Sequence, residues 1–381
     1  MSEWANLRGL NISSGWSPRG GQMSAAYYSN STPEGSSSGS AVAAALGLSM
    51  AAIGTETFGS ILELAELNNV TGPKPSRGLI VNDVTLPTSA RQDVIGTLTR
   101  TVSDAAHLLT TMAGRSENDE RTWNIPFAVP DFTTYCKDTD LSGITIGVPR
   151  STFTVDSTSP IMISFESALD TLHRAGAKVV DNADFPDVEE FMKLNQQVRG
   201  IVRASEFKRD IVRYLQTLEA NPNHIHSAED IIRFTKSFAG EEHPDRDIRK
   251  FLWTQAEGIY VNTDKYREMV SQGQFYGGEV GILGAMEKHG LDLLTVPSSM
   301  GIANDLAVKR WDSPYLKCHW GSILRARRLN WTRIARTGSG LRLGFRMAST
   351  LALFEVIKRL LTCVFAVIHR LRSPRLSRIR S

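Results

Sequence analysis

One stretch limits this chain more than any other: "GSSSGSAVAAALGLSMAAIGTETFGSI", Gly35 to Ile61. Gly/Ser linkers stay flexible because they bury no apolar surface, and a linker is not followed directly by a run of small helix-compatible residues. The run Ser40–Met50 predicts a small-residue helix able to pack close to a neighbouring backbone, and Ala52–Glu56 a short buried strand, with Ser60 on the turn after it. A loop, helix, strand and turn in so few residues need a scaffold around them. The chain has 381 residues, enough for one large domain or two.

Farther along, "GITIGVPR" (143–150) reads as a strand, Ile161–Ala175 has helical periodicity with Gly176 after it, and "AKVVDNADF" returns as a second strand. This β-α-β order predicts an α/β fold with a parallel or mixed sheet covered by helices. Residues 188–289 are charged and mostly helical in pattern, and "LDLLTVPSS" (291–299) closes that region as another core strand. Residues 1–34 are polar and rich in Gly and Ser, and little regular structure is expected there.

Charge divides the chain. Residues 310–381 hold sixteen Lys and Arg, fourteen of them Arg, against Asp312 and Glu355; this net +14 leaves −11 for residues 1–309 of a chain whose total is +3. In "MASTLALFEVIKRLLTCVFAVIHRLR", Lys358 and Arg359 cut the apolar run well short of the roughly 20 residues a membrane span needs, so the tail would lie on a membrane surface at most. A reading-frame error also gives Arg enrichment with acid depletion, and both accounts stand at this point. Three scattered cysteines and the lack of a signal-peptide pattern after Met1 make a cytoplasmic setting the expectation, with no cysteine zinc site.

Two readings of the serines compete with a bland one, in which they only satisfy backbone groups of a tight turn. Gly35-Ser36-Ser37-Ser38-Gly39 fits the G-x-S-x-G of a nucleophile elbow with Ser37 as nucleophile, but the polar "YYSNSTPE" before it is not the buried strand an elbow requires. The second reading uses both ends of the stretch. With "GWSPRGGQ", "VTGPKPSRGLI", "RQDVIGTLTRTVSDAAHLL", "GVPRSTF" and "TVPSSMGIANDLA" in order around it, the sequence resembles the amidase signature family over about residues 2–309, with a signature core at about 30–115.

The resemblance implies an α/β/α sandwich around a mixed β-sheet, here incomplete, as a partial domain over 1–309 followed by the unlike tail 310–381. It implies hydrolysis of amide carbon–nitrogen bonds through an acyl-enzyme, by a Ser, cis-Ser, Lys triad. Ser60 matches the nucleophile and Ser36, 24 positions earlier, the bridging serine on a cis peptide. The N–H groups of Thr57, Phe58, Gly59 and Ser60 match the oxyanion hole. The implied partner is a small-molecule amide, with no metal or organic cofactor and no specific nucleic acid. A serine hydroxyl needs a relayed base to attack an amide. The family's lysine lies upstream of the Gly/Ser loop, and no lysine precedes Lys74 in this sequence. The expectation is therefore a chain that starts inside the domain pattern and is inactive as it stands; Lys74, the nearest candidate replacement for the base, matches a structural turn of the family in "GPKPSRG".

Two further departures stand out: Phe58 replaces a small or acidic residue, and "LELAELNNVTG" replaces an apolar, Pro-containing segment, which would bring Glu63 and Glu66 close to the substrate cleft. A different class of function stays open, a noncatalytic scaffold whose basic tail associates with membranes or acidic partners.

Overall fold

The computed structural model describes residues 8, 14–27, 31–123, 128–136, 140–194, 196–298 and 302–309. The basic tail, with every expectation placed on it, lies outside the described residues.

Among its described residues the polar start contributes a small hairpin of two-residue strands, β1 (Trp16–Ser17) with β2 (Gly21–Gln22). Helix α1 (Ser38–Ala45) then leads into β3 (Ala51–Glu56), the short α2 (Leu62–Leu67) and β4 (Val94–Thr99), followed by α3 (Val102–Met112). Strands β3 and β4 pair antiparallel from Ala51↔Thr99 to Glu56↔Val94. Helix α1 stops earlier than its composition predicts. At Gly47 the backbone turns left-handed (φ +69°), and Gly47 and Leu48 donate back to the carbonyls of Ala44 and Ala43. The small side chains have the expected use: Ala41 and Ala44 pack with Ile61, Leu64, Ala65, Val70 and Leu98 into a core beneath the turn that carries Ser60.

The predicted β-α-β unit forms. Strand β5 (Thr145–Val148), helix α4 (Pro160–Arg174) and β6 (Lys178–Asp181) follow in order, and β5 and β6 are parallel. Ser159 caps α4 by accepting from Met162 N–H, ahead of Pro160. After α5 (Val188–Lys193), α6 (Gln196–Leu215), α7 (Ala228–Ser237), α8 (Arg249–Glu257), α9 (Asp264–Gly277) and α10 (Leu283–His289), strand β7 (Leu293–Leu294) returns to the other edge of β5, also parallel, and α11 (Ile302–Lys309) closes the described chain. The described strands thus form a parallel sheet in the order β6-β5-β7 and separate antiparallel pairs. Ile146 and Val148 of β5 and Phe165, Ala168 and Leu172 of α4 fill the main core.

Helix α6 is fastened to the loop before β4 through its buried acids Glu206 and Asp210. Arg91 Nε donates to Glu206 at 2.6 Å, and Ala90 N–H to Asp210 at 2.9 Å. That clamp sets α6 opposite the end of β3.

Candidate active site

A cavity of about 390 Å³ opens where the end of β3 meets α6 and α8. Small-molecule sites span roughly 300–1,000 Å³. One wall carries Ser36, Thr55 to Phe58, Ser60 and Asp93; the other carries Gly200, Arg203, Ala204 and Phe207 of α6 with Lys250, Phe251, Trp253 and Thr254 of α8. Positions 200, 203, 204 and 207 are one face of a helix.

Ser36 and Ser60 therefore line the same cavity, and the Gly35-Ser36 peptide is cis, the geometry the resemblance implies. The neighbouring serines are otherwise employed. Ser37 is buried, its Oγ donating to the Thr55 carbonyl and accepting from the Thr55 N–H, both at 3.1 Å, and it does not line the cavity. The nucleophile-elbow reading is thereby set aside, since an elbow serine must present a free hydroxyl to the site. Ser40 Oγ donates to the Ile53 carbonyl at 2.8 Å. Both side chains tie the Gly/Ser loop and α1 to β3.

Of the four residues matched to the oxyanion hole, Thr57, Phe58 and Ser60 line the cavity and Gly59 lies behind them. None of their four N–H groups donates to an acceptor among the described residues. Gly59 adopts φ +81°, and a Cβ there would stand 2.3 Å from Glu63 Oε1, so only glycine fits both the turn and the packing.

The turn is strapped by a buried ion pair. Glu56, the last residue of β3, accepts from Ile61 and Leu62 N–H at 2.8 and 2.9 Å, and lies 3.1 Å from Lys74 Nζ, which also donates to the Thr57 carbonyl at 2.9 Å. Burial alone would raise the Glu56 carboxyl; the Lys74 ammonium and the two N–H groups outweigh it and hold the group below the usual carboxylate range. Lys74 is thus a fastening of the turn, in keeping with the family position it matches. Asp93 supports the same segment from β4's approach, accepting from the Thr57 hydroxyl and from Thr88 and Ser89 N–H. Burial pushes it up to about 6 against those bonds.

Glu63 and Glu66 do not themselves line the cavity, although Glu63 packs directly against Gly59, between the lining residues Phe58 and Ser60. They sit on α2, whose apolar residues Leu62, Leu64 and Ala65 turn into the core and fix its orientation. Glu66 accepts from Ser298 Oγ at 3.0 Å, and Glu63, behind Gly59, is pushed up to about 8 by burial and by the neighbouring carboxylates of Glu56, Glu34 and Glu66. At Phe58 the ring receives the Arg203 guanidinium 5.0 Å from its centroid, so the bulky residue joins the turn to α6.

Four residues at the site are not marked as contributors by the sequence pattern: Glu56, Asp93, Arg203 and Lys250. The acid two places before Phe58 is visible inside the matched turn. Arg203 and Lys250 lie in a charged helical region with no local signal of a cavity.

Residues 6–312 match the Amidase family. A putative amidase of Arthroderma benhamiae is 38% identical over 301 residues, 78% of this chain and 50% of that protein. A probable amidase of Arabidopsis thaliana is 36% identical over 248 residues, 64% of this chain and 46% of that one. The native peptide amidase structure from Stenotrophomonas maltophilia has a TM-score of 0.74 at 29% identity, covering 98% of this chain and 72% of its own. The chain spans about half the length of the curated relatives it matches.

Proposed function

The chain belongs to the Amidase family, and on that premise we propose that its cavity is the seat of amide hydrolysis, with Ser60 as nucleophile and Ser36 as the hydroxyl that relays its proton. The observation that carries this reading is the convergence of Ser36 and Ser60 on one cavity, beside a turn whose N–H groups have no acceptor among the described residues. Ser60 Oγ would attack the amide carbon, and the developing oxyanion would be met by the N–H groups of the 57–60 turn. Donors fixed in this way are commonly worth about 100-fold or more each. Collapse expels the amine and leaves Ser60 acylated; water then releases the acid. The peptide amidase likeness favours amides of peptide type among the substrates.

The relay needs a final acceptor. No lysine precedes Lys74 in the 381 residues, and Lys74 is engaged with Glu56 and the Thr57 carbonyl. We therefore assign this 381-residue polypeptide negligible amide turnover by itself, although its nucleophile and donors are assembled. A fluorophosphonate is far more electrophilic than an amide, so prolonged exposure should modify Ser60 even so. Peptide mapping is expected to place the adduct on Ser60 and to find none in Ser60→Ala. An adduct on Ser36 or Ser37, or no adduct at all, would overturn the assignment.

A further inference from the structure

The second wall of the cavity carries a cation, Lys250, that no described residue neutralises. Lys250 stands in the first turn of α8, where the helix dipole is itself positive, with Arg249 beside it and no acidic residue in that turn. Among the described residues it makes no ion pair and no hydrogen bond, and the charge acting on it is another cation, Arg203. Its side chain is half-buried, yet desolvation by the surrounding protein, with Arg203 adding to it, pulls the ammonium down to about 8. It is still mostly charged at neutral pH.

Neither carboxylate that lines the cavity is available to it. Glu56 is held by Lys74 and the Ile61 and Leu62 N–H groups, and Asp93 by Thr57, Thr88 and Ser89. A desolvated charge without a partner is costly, and it persists where a ligand completes it. The same cavity is lined by the aromatic side chains of Phe207, Phe251 and Trp253.

We infer that the cavity selects amides carrying a carboxylate, with Lys250 as the residue that receives the anion, Arg203 adding to the positive field, and the aromatic wall taking the apolar body of the substrate. This rests on reading the cavity as the amide site, and it assigns Lys250 to specificity, not to proton transfer.

The test measures binding, with no turnover required. Isothermal titration of the 381-residue protein at pH 7 compares 3-phenylpropanoate with the neutral 3-phenylpropan-1-ol. A charge-assisted hydrogen bond makes the anion roughly 10- to 100-fold tighter. Lys250→Met should bring that ratio to about 2 or less, and Lys250→Arg should keep most of it. Lys250→Gln serves as the neutral variant should Lys250→Met fail to fold. Equal binding of the two probes by the unmodified protein, or an undiminished ratio in the neutral variant, overturns the inference. Failure here separates cleanly from failure of the nucleophile: anion preference without a Ser60 adduct rejects the latter only, and a Ser60 adduct without anion preference rejects the former only.

Discussion

Glu56 and Lys74, both buried, lie within 3.1 Å of each other, and through them the end of β3 and the segment after α2 close around the turn that carries Ser60. Each charge has a second set of partners: Glu56 the N–H groups of Ile61 and Leu62, Lys74 the carbonyl of Thr57. The pair shapes the turn from behind and leaves its cavity face to the serine.

Removing one partner should therefore cost far more than removing both charges. Lys74→Met leaves the Glu56 carboxylate buried and uncompensated, and a loss of about 3–5 kcal/mol in urea unfolding is expected. The double variant Lys74→Met/Glu56→Gln should recover a good part of that loss. Additive effects in the two-by-two cycle would mean that the pair is not coupled.

Glu63 makes the fold sensitive to pH in a definite direction. Its carboxyl is raised from an ordinary 4.5 to about 8, so the native state binds more protons than the unfolded one between those values, and its contribution to stability is complete below about 4.5 and declines as pH rises to about 8. Glu63→Gln should flatten that decline and unfold later than the unmodified protein at pH 8, by on the order of 1–3 kcal/mol. Asp93, raised to about 6, adds its own slope only at lower pH. Parallel stability curves for the two proteins between pH 6 and 8 would contradict the assignment.

Adjacent serines should behave differently. Ser37→Ala deprives both the N–H and the carbonyl of Thr55 of a buried partner, at about 1–3 kcal/mol of stability. Ser36→Ala removes a cavity-lining hydroxyl with no hydrogen bond among the described residues, and should stay within about 0.5 kcal/mol of the unmodified protein. Thermal melts of the two variants side by side decide it, and equal losses would mean that the two hydroxyls are not divided between support and site.

Local pattern is enough for the β-α-β unit, because a β-branched run, a capped periodic helix and a second β-branched run each show their period directly. The stretch from Gly35 to Ile61 is equally legible as loop, helix, strand and turn, except that α1 ends at Ala45 where Gly47 reverses the chain. The hidden parts are those made by distant residues. Nothing near Glu56 announces Lys74, and nothing in the charged run around Lys250 separates it from a solvated helix face; the cavity wall is made by α6, held through Glu206 and Asp210, together with α8 packed against it. Glu63 and Glu66 follow Ser60 closely in sequence, yet on α2, where Glu66 is buried with Leu62, Leu64 and Ala65, neither lines the cavity itself.

On the proposed reading Ser60 is the nucleophile, and no lysine precedes Lys74 in these 381 residues to take its proton through Ser36. The most direct measurement is steady-state hydrolysis of an activated anilide by three proteins: the 381-residue chain, its Ser60→Ala variant, and the chain extended by a lysine-bearing upstream segment of the amidase pattern. Triad members act as a unit, so the first two should be indistinguishable, while the extended form should gain several orders of magnitude, lost again on Ser60→Ala. Strong Ser60-dependent turnover by the 381-residue chain itself would contradict the account and point to Lys74 or Lys250 as a working base.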